Sequence, residues 1–528
     1  MRLNLLFPSV NPALLFRRVR ENQGGKGAIW TNGITVMGLL TLAAVLLLSA
    51  WLCDDAYITF RTAENAATGY GLRWNPIERV QSYTHPLWLL LLVGLRLVAG
   101  ELYYATMFLS LVLSLLTAWL VLRNAGARLP GLILALLSLL LSRAYIDYST
   151  SGLEGPLAHL LLVILVIQWW KTLSADSFHG WDVFLVSLLL SGVLLCRLDY
   201  VLLVGPLFGV LAWKRPPLIP VLLGLAPFVA WEIFSIVYYG SLVPNTAYAK
   251  LGGGLVLAGR LDQGWTYLAA SVRNDPVTGL VLMGAAVFNV VRVRGPGSWA
   301  ITMGVILYVS YVWSIGGDFM AGRFLAAPLV VSVMAVTRIR SKTWPTAAAA
   351  VVLVAAAFLG PNPTVLSNPY FGQPGGAFVG QTGVADERLF YYQHTGLMRR
   401  PRGDLPNTHP WVFEGLALRK AGTTPVARNA AGFYGYFAGP KITIVDLFGL
   451  CDPLLARLPA TKQSGWRAGH LEREIPPGYM ATVATDSGMA GDSDIARLEN
   501  RLRLVARGPL FSGERWKAIW QLNTGGVE

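Results

Sequence analysis

Between Ile34 and Gly360 the chain passes through one apolar run after another, near 34–52, 103–122, 130–146, 157–171, 183–197, 199–213, 218–239, 277–291, 298–315, 324–337 and 344–360. In hydrocarbon every backbone N–H and C=O must find its partner within the protein, so runs of this length are expected to be helices. A helix of about 20 apolar residues crosses the ~30 Å core of a bilayer. The pattern therefore predicts an all-α polytopic membrane protein with about eleven transmembrane helices. Composition agrees: 14% of the residues are charged, against about 25% in an ordinary soluble domain. The first run, Ile34–Leu52, follows a basic segment but has no small-residue cleavage site, and it reads as a retained helix.

After Pro361 the chain turns polar, with charges, Gly and Pro interspersed. This is the one clear boundary, and it divides the chain into an N-terminus (1–33), a membrane domain (34–360) and a C-terminal domain (361–528). In the last, Lys441-Ile-Thr-Ile-Val-Asp446 reads as a strand entering a loop, and Asp492–Val505 has helical spacing. A small α+β domain is expected there.

The net charge of +14 is not a nucleic-acid signature. The cations sit in short clusters between apolar runs (Arg17, Arg18 and Arg20; Lys214 and Arg215; Arg292 and Arg294; Arg338, Arg340 and Lys342), as cytoplasmic loops require. With a cytoplasmic N-terminus, parity puts these clusters inside and the C-terminal domain outside, provided that 86–99 does not make a full crossing. The outward segments are then 53–102, 144–156, 240–276, 316–323 and 361–528. For a bacterial chain this means the inner (plasma) membrane, with a periplasmic or extracytoplasmic C-terminal domain. Cys53, Cys196 and Cys451 form neither a disulfide framework nor a zinc motif.

Chemistry-bearing side chains concentrate in the outward segments: Asp54, Asp55, Arg61, Glu64, His85, Asp147, Glu154, Asn245, Lys250, Asp318 and Arg323. Acids where a span leaves the membrane are costly and point to function. A glycosyl transfer needs a base for the acceptor hydroxyl and cations, or a metal, for a leaving phosphate. The paired acids with Arg61, Lys250 and Arg323 meet both needs. The same pair also fits a helix-end cap, Lys250 and Arg323 fit interfacial snorkelling, and His85 fits an ordinary loop histidine. Arg197 and Asp199 read as a structural ion pair near a span end. His394, His409, Asp446, Asp452 and His470 are scattered through the C-terminal domain without a motif.

The first outer loop carries Asp54-Asp55, Arg61, Asn65, Gly69, Gly71, Trp74-Asn75-Pro76 and Tyr83-Thr84-His85-Pro86-Leu87-Trp88. In that order these resemble the first outer loop of the GT-C superfamily of membrane glycosyltransferases. The branch they look like contains the polyprenyl-phosphate-arabinofuranose-dependent arabinofuranosyltransferases of mycobacterial glycans and Pseudomonas type IV pilins. The resemblance extends to Thr150-Ser-Gly-Leu-Glu154, Pro244-Asn-Thr246 with Lys250, Gly316-Gly-Asp318 with Arg323, and Asp446 to Pro453.

It implies Asp54 as the catalytic acid/base, with Asp55 as its neighbour and a partner for a hydroxyl or a divalent metal. It implies Arg61, His85, Lys250 and Arg323 as donor phosphate and sugar ligands, and Tyr83, Glu154, Asn245 and Asp318 as cavity lining. The partners implied are a polyprenyl-phosphate sugar, membrane lipid and a pilin or glycan acceptor, with the C-terminal domain capping the outer cavity. No Walker-type nucleotide motif occurs, as a lipid-linked donor would explain. Another lipid-linked sugar such as mannose or aminoarabinose fits the same scaffold. A glycan transporter or a non-catalytic assembly protein are the readings from other classes.

Overall fold

The structure, a computed structural model, describes residues 26–126, 128–251, 254, 256–292, 296–340, 344–366, 382–398, 405–429, 431–461 and 469–525. The membrane part comprises α1 (Lys26–Ser49), α2 (Asp54–Ala67), α3 (Pro86–Ala99), α4 (Tyr103–Ala125), α5 (Leu129–Leu141), α6 (Arg143–Tyr148), α7 (Gly155–Leu173) and α8 (Gly180–Cys196). It continues with α9 (Val201–Trp213), α10 (Leu218–Tyr238), α11 (Asn245–Leu251), α12 (Leu257–Asn274), α13 (Pro276–Arg292), α14 (Pro296–Ser314), α15 (Ala326–Val336) and α16 (Trp344–Ala357). Each of the apolar runs marked in the sequence contains a helix.

Among the described residues four helices are long and apolar enough to cross a membrane alone: α1 from Trp30, α4, α7 and α10. A fifth is reached if α12 and α13, which meet at 105°, count as one broken span. Shorter apolar helices, among them α5, α8 and α16, accompany them. This is a multi-pass membrane protein. At 14 residues, α3 is ~21 Å long, short of the ~30 Å hydrocarbon core.

Three sequence expectations need correction. The run 130–146 is not one helix. It breaks at Ser142, whose extended backbone and hydroxyl, accepting from Tyr145 N at 3.1 Å, start α6 anew. The first run ends as helix at Ser49 rather than Leu52. Segments 53–102 and 240–276, taken as outer loops, hold helices α2, α3, α11 and α12; neither α2 nor α12 registers as a span by itself.

Packing follows from small and polar residues. On α4, Thr106, Ser110, Ser114, Thr117 and Ala118 are all buried, the small-residue stripe that lets membrane helices approach. Gly304 of α14 leaves no room for a side chain: a Cβ there would stand 2.0 Å from the carbonyl oxygen of Leu203 on α9. Gly304→Ala is expected to lower the melting temperature in detergent by forcing these two helices apart, a change readable by thermal unfolding.

The C-terminal segment adds α17 (Glu387–Thr395), α18 (Pro410–Ala421), β1 (Val426–Arg428), α19 (Phe433–Ala438), β2 (Ile444–Asp446), α20 (Tyr479–Thr485), α21 (Asp494–Arg507) and α22 (Gly513–Thr524). β1 and β2 pair in parallel, with Arg428 opposite Asp446. The expected strand is shorter than 441–446, and the expected helix is α21, capped by Ser493 accepting from Ala496 N. The α17–α19 region shares its core with the membrane helices. Tyr391 stacks on Trp51, Phe433 meets Tyr57 edge-on, and Leu397 N donates to Ala50 O at 2.9 Å.

Candidate active site

The site is built around the head of α2. Cys53 donates its N–H to Ser151 O at 3.0 Å, which fixes where the chain leaves α1 and turns into α2. Asp54 and Asp55 open α2, where the helix dipole favours negative charge. Their side chains then diverge. Asp54 accepts from Phe433 N at 2.6 Å and Gly432 N at 3.2 Å, so its carboxylate stands between the N-termini of α2 and α19. Gly432 is required at this approach, since a Cβ would lie 2.0 Å from Asp54 O. Burial pushes Asp54 up to about 7, against the stabilising pull of the Phe433 N–H.

Asp55 faces a cleft whose lining includes Thr59, Tyr83, His85, Thr246, Lys250 and Arg323. Behind it lies a buried ionic network. Glu154 meets His85 Nδ1 at 3.1 Å, Arg197 Nη1 at 3.0 Å and Arg323 Nη2 at 3.7 Å. Arg323 also faces Asp318 at 3.4 Å and Asp55 at 3.8 Å. Burial acts against both charges, yet the network outweighs it. His85 and the two arginines hold Glu154 well below the usual carboxylate range, and Glu154 with Asp318 holds Arg323 above the usual guanidinium range. His85 Nε2 is 2.9 Å from Thr59 Oγ1, so the ring is held from both sides. Lys250 lines the same cleft and, among the described residues, takes part in no ion pair, unlike Arg323 with its three carboxylates.

The structure thus gathers Asp55, Tyr83, His85, Lys250 and Arg323 around one cleft, with Glu154 and Asp318 supporting them from beneath. Tyr83 is held by Tyr239, hydroxyl to hydroxyl, at 2.6 Å. Two expected site residues do other work. Arg61 is buried, donates to the carbonyls of Trp74, Gly435 and Ile442, and stacks over Trp74 at 4.5 Å. Its guanidinium ties α2 to the α19–β2 region and does not reach this cleft. Arg61→Ala would leave those carbonyls unpartnered, and a loss of about 3 kcal/mol in folding stability is expected, measurable by thermal unfolding in detergent. Asn245 donates to the carbonyls of Gly449, Leu450 and Asp452 at 2.9–3.2 Å. It clamps the loop after β2 and lines a neighbouring cavity instead.

Arg197 and Asp199 do pair, bidentately at 2.7 and 2.9 Å, and the pair extends to Glu154. Thr59 and the Gly432–Phe433 amides escaped the sequence reading: a threonine and a glycine-led turn carry no motif of their own. In the C-terminal segment His409 caps α18, while His470 packs on Phe319 and Phe448. Asp446 and Asp452 accept loop and helix-end amides, and burial lifts them to about 6 and about 7. Among the described residues no three His, Cys, Asp or Glu side chains converge on one point. Asp54 is engaged by amides and Asp55 faces a guanidinium.

No protein-family model matches the chain. Over 525 aligned residues it is 27% identical to the terminal β-(1→2)-arabinofuranosyltransferase of Mycobacterium tuberculosis, covering 82% of each chain. It is 26% identical to the protein of the same name from Corynebacterium glutamicum, covering 85% of this chain and 77% of that one. In fold it is similar to ArnT from Cupriavidus metallidurans bound to undecaprenyl phosphate, with a TM-score of 0.51 at 12% identity over 81% of this chain and 88% of that one. The two sequence likenesses make the chain an enzyme, a membrane glycosyltransferase, and the solved structure has a similar fold. Within that class it is similar to arabinofuranosyltransferases along most of its length.

Proposed function

We propose that this enzyme transfers D-arabinofuranose from a polyprenyl-phosphate donor to an acceptor at the outer face of the membrane, a cell-surface glycan or a pilin. The observation that carries this is the cleft beside the head of α2, where Asp55 stands with Arg323, His85 and Lys250, and Asp54 is its neighbour on the helix. The names of the two sequence relatives support the sugar, and the undecaprenyl phosphate bound to ArnT, which shares the fold, supports the carrier. The donor's phosphate lies against Lys250 and Arg323 and its tail in the bilayer. Asp54 takes the proton of the acceptor hydroxyl. The hydroxyl oxygen bonds to C1 of the sugar as the bond from C1 to the phosphate oxygen breaks, and polyprenyl phosphate leaves with the electron pair. A topology with the N-terminus inside and the C-terminal segment outside, which the clusters of basic residues between the apolar runs support, has this cleft on the outer side.

A second reading of the base follows from the diverging carboxylates. Asp55, not Asp54, lines the cleft, and Asp54 would then serve to hold the Gly432–Phe433 turn in place.

Purified protein in nanodiscs, given synthetic polyprenyl-phosphoryl-arabinofuranose and candidate acceptors, is expected to release polyprenyl phosphate only when an acceptor is present. Release from another lipid-linked sugar alone would change the sugar. No release from any donor would favour a transport or assembly role. Lys250→Ala is expected to raise KM for the donor about 10- to 100-fold with a smaller change in kcat, the worth of one charge-assisted phosphate contact. An unchanged KM would remove Lys250 from the donor site.

A further inference from the structure

The last helix carries an aromatic face that the rest of the molecule leaves uncovered. On α22, Ala518 and Ile519 are buried against α21 and the C-terminal end of α10 in one cluster with Val505, Leu504 and Ile236, and Arg515 is buried beside them. Arg515 donates to Tyr238 O at 3.0 Å, and Asn523 donates to Gly240 O at 2.9 Å. A Cβ on Gly240 would collide with Val505 and Ile519, so the fit of these helices against the end of α10 is close. The opposite face of α22 presents Trp516, Lys517 and Trp520, with Trp520 71% exposed, and the preceding turn presents Phe511 at 79%.

The position of this face identifies what covers it. α10 is a span of 21 residues of which only 11% of the apolar window is buried. Leu222, Leu223, Val229 and Ile233 are exposed along it, as side chains facing lipid must be. A helix of this length covers the ~30 Å apolar core, so Tyr238–Gly240 stands at headgroup level. α22 is bonded to those very residues, and Ile236, in the last turn of the span, is part of its packing. The helix that carries the exposed aromatic face is therefore seated at the end of a span whose sides face lipid.

We propose that α22 lies in the headgroup layer on the same side of the membrane as the end of α10, with Trp516, Trp520 and Phe511 dipping toward the acyl chains and Lys517 reaching the phosphates. Tryptophan partitions to this layer because its ring is apolar and its N–H stays wet, and a helix with such a face rests in the interface rather than crossing it. The anchor bears on the site, because the carbonyl of Ala506 at the end of α21 accepts from Arg79 N of the first outer loop at 2.9 Å. The bilayer surface thus steadies the C-terminal segment against the loop that carries Asp54 and Asp55.

The test uses the full-length protein in nanodiscs, with an environment-sensitive fluorophore on an introduced cysteine; the three native cysteines are all buried. Trp520→Cys and Lys517→Cys report on the proposed face, the second retaining both tryptophans. Asp492→Cys, at a side chain 92% exposed, is the water-facing control. The fluorophore at 517 and 520 is expected to emit to the blue of that at 492. Lipids with a nitroxide near the acyl carbonyl are expected to quench it severalfold more strongly. Emission at 517 and 520 as water-like as at 492 would overturn the proposal. So would a blue-shifted probe that no lipid nitroxide quenches, which would mean that a second protein chain covers this face.

Discussion

Asp54→Asn is expected to lower the rate of polyprenyl phosphate release by about 10²- to 10⁴-fold, the range for loss of a positioned general base, while the protein remains folded. Asparagine has the same shape and can still accept one amide hydrogen bond at Gly432–Phe433, so a lost rate would be a chemical loss and not a collapse of the turn. Asp55→Asn is the necessary companion. If Asp55 is the base, as its position in the cleft allows, the large loss moves to that variant and Asp54→Asn costs mainly stability.

The pH profile separates the two roles further. A base must be ionised, and burial holds Asp54 at about 7, so kcat/KM is expected to rise with pH through about 7 in the wild type. Asp452 is also lifted to about 7, but its carboxylate is taken up by Leu454, Leu455 and Tyr479. Asp452→Asn should keep the rising limb that Asp54→Asn abolishes. Stability runs the other way. The folded chain binds the Asp54 proton more tightly than the unfolded one, so this group's contribution is fully present below about 4 and is lost as pH rises through about 7. Asp54→Asn is expected to flatten that decline in melting temperature.

Glu154→Ala is expected to destabilise the protein by about 3–5 kcal/mol, the cost of leaving buried charges without their partner. His85, Arg197 and Arg323 meet on this one carboxylate. Its removal sets the Arg197 and Arg323 guanidiniums against one another beside the cleft, so donor binding should weaken along with the fold. Because its folded pKa is depressed, the stability Glu154 supplies is present above about 4.3 and is lost as pH falls through its folded value. The wild type should therefore lose more stability on acidification than Glu154→Ala. Thermal unfolding of both proteins in one detergent across a pH series reads the difference; equal slopes would show that the network contributes nothing of this kind.

Much of the site was legible because the first outer loop is local. Asp54, Asp55, His85 and their neighbours lie within one short stretch whose residue types already point to anion handling. Arg323, Lys250, Glu154 and Asp318 could be added because each sits in an outward segment, where charge is otherwise unexplained. Arg61 and Asn245 show where that reasoning stops. Both are polar residues in the right loops, yet the groups they bond, Gly435 and Ile442 for one and Gly449 and Asp452 for the other, are remote in sequence. Nothing local distinguishes a guanidinium that grips carbonyls from one that awaits a phosphate.

The membrane class and the order of the helices follow from sequence alone, because a lipid environment imposes one rule on every residue of a run and the rule can be read run by run. The breaks at Ser142 and Asp275 and the docking of α22 on the end of α10 were decided by tertiary structure. So were the separate directions taken by Asp54 and Asp55. Adjacent residues on a helix point about 100° apart, and which of the two meets the cleft depends on where α2 is seated. That seat is set by Gly432 and Phe433, which lie 378 and 379 residues away from Asp54 in the chain.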